Sequence, residues 1–145
     1  MTAESLELEK KLVELLKMRN FHISAAESCT GGMLASNIIS VPGASEVIEE
    51  SYITYSDRVK VKLLGVKRET LEKNSAVSAQ TALEMAVGCA QTTGSEAAIS
   101  LTGYAGPSAG EDGTPAGTVF AGCYLCGKTE IFEFHFAFAF YEGLC

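Results

Sequence analysis

The sequence predicts an α/β protein, a three-layer α/β/α sandwich built on a mixed, mostly parallel sheet. Two observations predict this architecture. Segments with the apolar periodicity of helices alternate along the chain with short apolar runs of strand length. The chain has 145 residues, of which 47% are hydrophobic and 20% charged, so it can build one core and not two. We therefore expect a single domain over residues 1–145, without linkers or internal repeats.

The start of the chain predicts a helix, a strand and a second helix. Residues 4–19 place four leucines on one helical face, with Glu and Lys residues opposite. Residues 21–26 form a short apolar run of strand length. Residues 33–39 continue as a helix, which Pro42 and Gly43 end.

The middle of the chain predicts one strand and two capped helices. Residues 47–55 contain β-branched and aromatic side chains, which favour a strand. Ser56 is placed to cap a short helix, and Gly65 is placed to end it. Ser78 is placed to cap a longer helix that reaches residue 91 and carries one apolar face.

Three apolar runs in the last third of the chain predict strands at residues 97–101, 118–125 and 130–140. The first two are joined by residues 102–117, which contain five glycines and two prolines. A connection of this length inside a compact domain is usually functional or mobile.

Composition excludes several classes of protein. The net charge of −7 disfavours binding to nucleic acid or to a membrane surface, because both would repel the chain. No segment reaches the roughly 18 apolar residues of a membrane span. Five cysteines without the spacings of a disulfide framework indicate reduced thiols, and so a cytoplasmic protein. Cys123 and Cys126 form a single Cys-x-x-Cys motif with no second cysteine pair and no His nearby, so we expect no metal site.

A turn between a strand and a helix, residues 26–32 (AESCTGG), carries the first candidate site. The carboxyl ends of strands are where α/β proteins place ligands, and free helix N–H groups can stabilise an oxyanion. Ser28 and Cys29 are both potential nucleophiles at this turn, whereas a lone Glu such as Glu27 is most often solvated or salt-bridged. The alternative is that a hydroxyl caps the helix while the glycines permit tight packing. The two histidines of the chain are isolated, so a Ser-His-Asp triad lacks support.

The next junction between a strand and a helix, residues 54–60, offers a base for the serine. Tyr55 ends the predicted strand and Lys60 lies one turn into the predicted helix, so both can lean over the first junction. A serine without a neighbouring His can be activated by a neutral Lys whose pKa is lowered by burial. The alternative is that Arg58, Lys60 and Lys62 form a solvated helix face, and the pattern alone does not decide between the two.

Six blocks of sequence occur in the order typical of a known family. They are residues 26–32 (AESCTGG), 42–45 (PGAS), 54–66 (TYS, Lys60 and LGV), 76–78 (AVS), 102–107 (TGYAGP) and 115–119 (PAGTV). In these blocks the chain resembles the CinA C-terminal domain family, also called competence/damage-inducible proteins. The resemblance implies a three-layer α/β/α domain and a serine amidohydrolase without metal or cofactor. The family is known for deamidation of nicotinamide mononucleotide, so the implied partner is a small pyridine nucleotide.

The resemblance also implies which residues line the site. They are Ser28, Ser45, Tyr55, Lys60 and Thr102, each at the matching family position. We expect Ser28 to be the nucleophile, Ser45 its rival, and Lys60 the base, with the Lys60 ammonium within roughly 5 Å of one serine hydroxyl. Tyr55 would orient Lys60 or protonate the departing ammonia. The remaining substrate contacts are expected to be oxyanion donors at Thr30, Gly31 and Gly32, and ribose-phosphate contacts at Thr102, Gly103 and Gly106.

The chain departs from the family from about residue 129 onward. Family members continue with a Gly-Asp-Arg-like segment and a long closing helix, whereas here five phenylalanines, at every second position from Phe132 to Phe140, alternate along a predicted strand. We expect the first helix or the helix after Ser78 to cover Phe132 and Phe134, and a second copy of the chain to cover the outer rings in a homo-oligomer. The competing interpretation ends the strand near Phe136.

The Arg of the family's Gly-Asp-Arg-like segment is expected near the phosphate, and here both that Arg and the closing helix are absent. Their absence leaves alternatives for the function. One is a catalytically weak nucleotide-binding or regulatory relative that keeps the pocket. Another is a product that keeps the fold and has no function.

Overall fold

Five helices and five strands make up the computed structural model, which describes residues 2–137. The helices are α1 (Ala3–Arg19), α2 (Met33–Ile39), α3 (Asp57–Leu64), α4 (Arg68–Asn74) and α5 (Ala79–Thr93). The strands are β1 (Ile23–Glu27), β2 (Tyr52–Ile53), β3 (Ala97–Gly103), β4 (Thr118–Leu125) and β5 (Lys128–His135). A short 3₁₀ helix, Ala44–Glu46, follows α2.

Side-chain caps set the boundaries of the helices that the sequence predicts. Ser56 accepts a hydrogen bond from the backbone N–H of Val59 at 3.3 Å, and α3 ends at Gly65 in the left-handed conformation. Ser78 accepts from the backbone N–H of Thr81 at 3.1 Å and begins α5. Both predicted caps and the predicted end of α3 are confirmed.

The five strands form one mixed sheet in the order β2-β1-β3-β4-β5. β1 pairs parallel with both β2 and β3, whereas β4 pairs antiparallel with β3 and with β5. Four of the five strands therefore run in one direction, in agreement with the predicted fold class. Because β1, β2 and β3 are parallel, their carboxyl ends meet at one edge of the sheet, and this edge positions the candidate site.

Helices lie on both faces of the sheet and complete the three layers. α5 packs closely on one face, since a Cβ at Gly122 of β4 would lie 2.4 Å from the Ala82 carbonyl oxygen. The apolar core on this side is formed by β1, β3, α3 and α5 and includes Leu64 and Met85. On the opposite face, α1 and α2 pack against β1 around Val13 and Ile38.

The structure differs from the sequence prediction in two places between α2 and α5. Strand β2 is far shorter than the predicted 47–55, because Val47 and Ile48 are buried in the cluster with α1 and α2 instead. Ala25 of β1 consequently donates its N–H to the Ser51 hydroxyl, at 3.0 Å, and not to a strand carbonyl. Helix α4 was not predicted because it lacks an apolar stripe. It is held in part by the Thr70 hydroxyl, which donates to the Glu84 carboxylate at 2.9 Å.

The end of the chain also differs from the prediction. β5 begins at Lys128 and ends at His135, so Phe136 follows the strand, while Phe138 and Phe140 lie outside the described residues. Neither α1 nor α5 covers Phe132 and Phe134, which are 41% and 43% exposed. The expected cover was wrong for two reasons. The register pairs Phe132 with Ala121, which places the rings on the face opposite α5, and α1 packs against β1, which β3 and β4 separate from β5. Among residues 2–137, no helix is long and apolar enough to cross a membrane.

Candidate active site

Ser28 stands at the carboxyl end of β1, where the strand turns into α2. Its backbone N–H donates to the Leu101 carbonyl at 3.0 Å, which extends the parallel pairing of β1 with β3 by one residue. The residue is buried, and its side chain faces Lys60 of α3. The first residue after a buried parallel strand is therefore held rigidly at the edge where α/β proteins bind ligands.

The carboxylate of Glu27 holds the turn beside Ser28. Glu27 is 1% exposed and accepts four hydrogen bonds. They come from the Thr30 hydroxyl at 2.5 Å and from three backbone N–H groups, those of Gly32 at 3.0 Å, Leu34 at 3.2 Å and Ala35 at 2.8 Å. A buried carboxylate needs such donors, and here they are the free N–H groups at the start of α2. As far as residues 2–137 show, Glu27 is thus neither solvated nor salt-bridged, because the start of α2 supplies its partners.

Lys60 is a buried amine that pairs with no carboxylate among residues 2–137. Its side chain comes from α3, and the residue is 1% exposed. Nζ lies 2.8 Å from the Thr54 carbonyl oxygen, 3.2 Å from that of Tyr55, and 3.2 Å from the Ser28 hydroxyl. In the described part of the chain, no carboxylate lies within ion-pair distance of Nζ. Burial lowers the pKa of the Lys60 amine, against a smaller opposing effect of Asp57.

The three contacts of Lys60 have a chemical consequence. Two carbonyl oxygens accept two of its N–H groups, and carbonyls cannot donate in return. The remaining tetrahedral position of Nζ points at the Ser28 hydroxyl, 3.2 Å away. In the neutral amine, that position is the lone pair. The geometry therefore suits transfer of the Ser28 proton to Lys60.

A cleft with a volume of about 430 Å³ opens over this pair. Its walls are formed by Cys29, Tyr55, Ala76, Val77 and residues 102–108. Thr102 is almost fully buried and donates its hydroxyl to the Ala76 carbonyl at 2.7 Å, so only its oxygen lone pairs remain for a ligand. Gly103 and Gly106 also line the cleft, as the sequence predicts for substrate contacts.

A strained residue that the sequence does not reveal precedes the wall residues Ala76 and Val77. Ser75 has φ +73° and ψ 163°, a region that side-chain-bearing residues rarely adopt. Its carbonyl accepts from the Thr81 hydroxyl at 2.7 Å, and its hydroxyl lies 3.3 Å from the Tyr104 hydroxyl of the glycine-rich connection. These bonds hold Ala76 and Val77 against the cleft.

Gly31 and Gly32 do not present the free oxyanion donors that were expected. The Gly31 N–H donates to the Ser28 carbonyl at 3.2 Å, and the Gly32 N–H donates to the Glu27 carboxylate. Thr30 directs its hydroxyl at Glu27 as well. Within residues 2–137, the N–H groups of Cys29 and Thr30 have no acceptor in another residue, so they replace the glycines as candidate donors. The prediction failed for the glycines because the carboxylate of Glu27 occupies the helix start first.

Tyr55 and Cys29 also line the cleft. The Tyr55 side chain is 77% exposed, and the group that contacts Lys60 is its backbone carbonyl and not its hydroxyl. The pKa of the Cys29 thiol is raised, chiefly by burial, so its thiolate is disfavoured. Of the two potential nucleophiles at the turn, only Ser28 contacts the base.

Ser45 does not meet Lys60. It is an exposed residue of the 3₁₀ helix, which is tied to the start of β1 through the Val47 carbonyl, 2.7 Å from the Ile23 N–H. Ser28 follows the last residue of the same strand, so the two serines lie at opposite ends of β1. Ser45 therefore does not line the cleft formed within this chain, because it lies beside the amino end of β1 and the cleft lies at the carboxyl end.

Comparison with known proteins identifies relatives of this chain. A family profile of the CinA C-terminal domain matches residues 5–139. A CinA-like protein of Kosmotoga olearia is 50% identical over 124 residues, which are 86% of this chain and 30% of that protein. The chain thus spans less than a third of the length of that curated relative.

Solved structures with similar folds carry related names. The competence damage-inducible protein A of Klebsiella pneumoniae superposes with a TM-score of 0.92 at 38% identity, over 95% of this chain and 86% of that chain. A competence-damaged protein (CinA) superfamily protein of Escherichia coli gives 0.93 at 35% identity, over 98% and 84% of the two chains.

Proposed function

Since this chain belongs to the CinA C-terminal domain family, we propose that it deamidates nicotinamide mononucleotide to nicotinate mononucleotide, with Ser28 as nucleophile and Lys60 as base. The observation that carries the proposal is the 3.2 Å contact between the Ser28 hydroxyl and a buried Lys60 amine that has no carboxylate partner within residues 2–137. Burial favours the neutral amine, and only the neutral amine can accept a proton.

The reaction proceeds through an ester of Ser28. Lys60 takes the hydroxyl proton while Oγ attacks the carboxamide carbon, and the N–H groups of Cys29 and Thr30 face the oxyanion that develops. Each such donor contributes on the order of 3 kcal/mol to transition-state stabilisation. The Lys60 ammonium then returns its proton to the amide nitrogen, and ammonia leaves. Water, deprotonated by the neutral Lys60, hydrolyses the ester and regenerates the Ser28 hydroxyl.

The substrate class follows from electronic and steric considerations. A pyridinium ring withdraws electrons from its carboxamide, so a serine activated by a single lysine suffices as nucleophile. The cleft of about 430 Å³ has room for a ring with attached ribose. We assign a ribose contact to Thr102, whose oxygen can accept a hydrogen bond from a ribose hydroxyl, and the phosphate contacts to Gly103, Gly106 and Ser108, which line the same cleft.

A second candidate function is a catalytically weak nucleotide-binding or regulatory relative. The observation that favours it is the small number of positively charged side chains in the cleft. Among the described residues that line it, Lys60 is the only cation, and it is committed to Ser28 and two carbonyls. A phosphate would therefore be held by neutral donors alone, with lower affinity than an Arg would provide.

Two further properties belong to the same proposal. We place the protein in the cytoplasm, since Cys29, Cys89, Cys123 and Cys126 are all free thiols. We also propose that it is a homo-oligomer with no nucleic-acid partner.

An ammonia-release assay separates the two candidate functions. We expect ammonia from nicotinamide mononucleotide, and far less from nicotinamide or glutamine, which lack the ribose phosphate or the pyridinium. Folded protein that binds the nucleotide calorimetrically but releases no ammonia would support the regulatory alternative. Protein that neither binds nor releases would overturn both.

A further inference from the structure

Residues 104–117 join β3 to β4 and are here called the connection. Its first part, residues 104–108, lines the cleft. Two backbone hydrogen bonds join its base, since Tyr104 donates to the Thr118 carbonyl at 3.0 Å and Gly117 donates to the Tyr104 carbonyl at 2.7 Å. Both bonds lie at the edge of the sheet, so they fix where the connection starts and ends but not its orientation over the cleft.

The part of the connection above its base has few attachments. Gly110 donates its N–H to the Thr114 carbonyl at 2.8 Å, and Gly113 donates to the Gly110 carbonyl at 2.9 Å, so these bonds close a turn within the connection itself. Among residues 2–137, no hydrogen bond joins residues 105–114 to a residue outside the connection. Such a turn moves as a unit unless a side chain holds it.

The Tyr104 side chain is the group that holds this turn. Its ring packs against the backbone of Gly110, where an added Cβ would overlap the ring carbons Cζ and Cε2. Its hydroxyl lies 3.3 Å from the hydroxyl of Ser75, which follows α4. One side chain therefore links the turn to the segment that supplies Ala76 and Val77 as another wall of the cleft.

Ser75 is held in a conformation that a glycine would adopt without strain. Its φ of +73° with ψ of 163° lies in a region that is nearly restricted to glycine. The side chain that a glycine would lack accepts the Val77 N–H at 3.2 Å and meets the Tyr104 hydroxyl. The strained backbone therefore coincides with the contact that fixes the orientation of the connection.

We propose that Ser75 and Tyr104 are positioning residues that hold the connection in place for the phosphate of the substrate, an inference that rests on the function proposed above. Gly106 and Ser108, to which phosphate contacts are assigned, lie between Tyr104 and the turn at Gly110, so the hydroxyl pair fixes both ends of that stretch. The reacting amide is bound at the serine nucleophile, and within residues 2–137 neither hydroxyl is bonded to that serine. The pair therefore sets the preference for the mononucleotide over its riboside, which carries the same amide and lacks the phosphate.

The neutral character of the phosphate donors makes this positioning necessary. Lys60 is the only cation among the described residues that line the cleft, and it is committed to Ser28 and two carbonyls. Backbone and hydroxyl donors bind a phosphate only when they converge on it, because a hydrogen bond weakens steeply with distance and angle. A connection that first had to be ordered by the substrate would bind it with lower affinity.

Two variants that remove the contact test the proposal through the substrate. Tyr104→Phe removes one hydroxyl, and Ser75→Gly removes the other while relaxing the backbone, so both variants can fold. In ammonia-release assays, we expect each to raise KM for nicotinamide mononucleotide about three- to ten-fold, with a smaller change in kcat. The preference for the mononucleotide over its riboside should fall by the same factor. The double variant should lose no more than the larger single loss, because both changes break the same bond.

Hydrogen exchange on the full chain without substrate tests the same contact independently of activity. The N–H groups of Gly110 and Gly113 should exchange faster in both variants, since they belong to the turn that Tyr104 holds. Two matched controls should change neither this exchange nor the kinetics. Tyr52→Phe removes a bonded tyrosine hydroxyl outside the cleft, and Asn20→Gly relaxes a positive φ of 53° at the end of α1.

The two measurements separate failure of this proposal from failure of the proposed function. Wild type that binds the mononucleotide but releases no ammonia overturns the deamidase function alone, and calorimetric affinities for mononucleotide and riboside then replace KM. Wild type that binds neither overturns both. Unchanged exchange in Tyr104→Phe and Ser75→Gly overturns the positioning role, as does an equal loss of affinity for mononucleotide and riboside. Losses that multiply in the double variant would mean that the two hydroxyls act separately, which also contradicts it.

Discussion

The two ends of strand β1 carry the same residue types in opposite environments. At the carboxyl end, Ser28 meets Lys60, which is 1% exposed and has carbonyl oxygens as its other partners. Near the amino end, the exposed Ser45 precedes Glu46, whose carboxylate pairs with Lys17 at 2.7 Å. The Lys17 and Glu46 side chains are 33% and 66% exposed.

The difference shows that environment, and not residue type, prepares a serine for catalysis. A carboxylate in water keeps a lysine charged, and a charged lysine cannot accept a proton. Burial among carbonyl groups acts in the other direction and lowers the pKa of Lys60. Only the carboxyl end of β1 therefore combines a nucleophile with a base.

Replacing the two serines gives the largest expected contrast. Ser28→Ala removes the nucleophile and should lower turnover of nicotinamide mononucleotide by at least ~100-fold with the fold intact. Ser45→Ala should stay within about two-fold of wild type, because Ser45 lies at the other end of the strand. Steady-state ammonia release measures both. Full activity in Ser28→Ala with loss in Ser45→Ala would reverse the assignment.

Replacing Lys60 and Lys17 should give the same contrast in turnover as replacing Ser28 and Ser45. Lys60→Ala should also lower turnover by at least ~100-fold, and the Ser28→Ala, Lys60→Ala double variant should lose little more, because the two residues act as one unit. Lys17→Ala, in α1, serves as the control and should leave turnover nearly unchanged. Independent, multiplicative losses in the double variant would count against a shared proton transfer.

The lowered pKa of Lys60 sets the sign of the pH dependence. The neutral amine is the active base, so kcat/KM should rise with pH through the lowered pKa and level off below the ordinary value of 10.5. Between these two values the unfolded state binds more protons than the folded state, so the free energy of unfolding should also rise with pH. Lys60→Met should remove this stability slope. Activity that falls from neutral pH upward would contradict the base assignment.

Replacing the carboxylates of Glu27 and Glu46 gives the smallest expected contrast, which is a difference in folding stability. Glu27→Gln keeps the shape of the side chain but sets an amide NH₂ against backbone N–H donors, which should lower the free energy of unfolding by about 1–3 kcal/mol. Glu46→Gln breaks only an exposed pair and should cost less than about 1 kcal/mol. Urea denaturation measures both. Equal losses would mean that Glu27 does not hold the turn.

Local sequence signals predicted much of the fold, and their failures have physical causes. Ser56, Gly65 and Ser78 were predictable because a cap involves residues three or four positions apart. The strand predicted at 47–55 is observed only at Tyr52–Ile53, since Val47 and Ile48 are buried in the cluster with α1 and α2 instead. Helix α4 has one apolar anchor, Leu71, and no stripe, so its contacts with α5 decide it.

The sequence by itself determined the α/β alternation, the helix caps, and the placement of Ser28 and Lys60 after successive strands. Tertiary structure alone decided which serine meets which lysine, that Glu27 occupies the start of α2, and that the Phe132 ring lies on the sheet face away from α5. The reason is the separation along the chain between the residues that interact. Helix periods and caps are set by neighbours along the chain, whereas Ser28 and Lys60 are 32 residues apart and meet only because β1 and β2 pair in parallel.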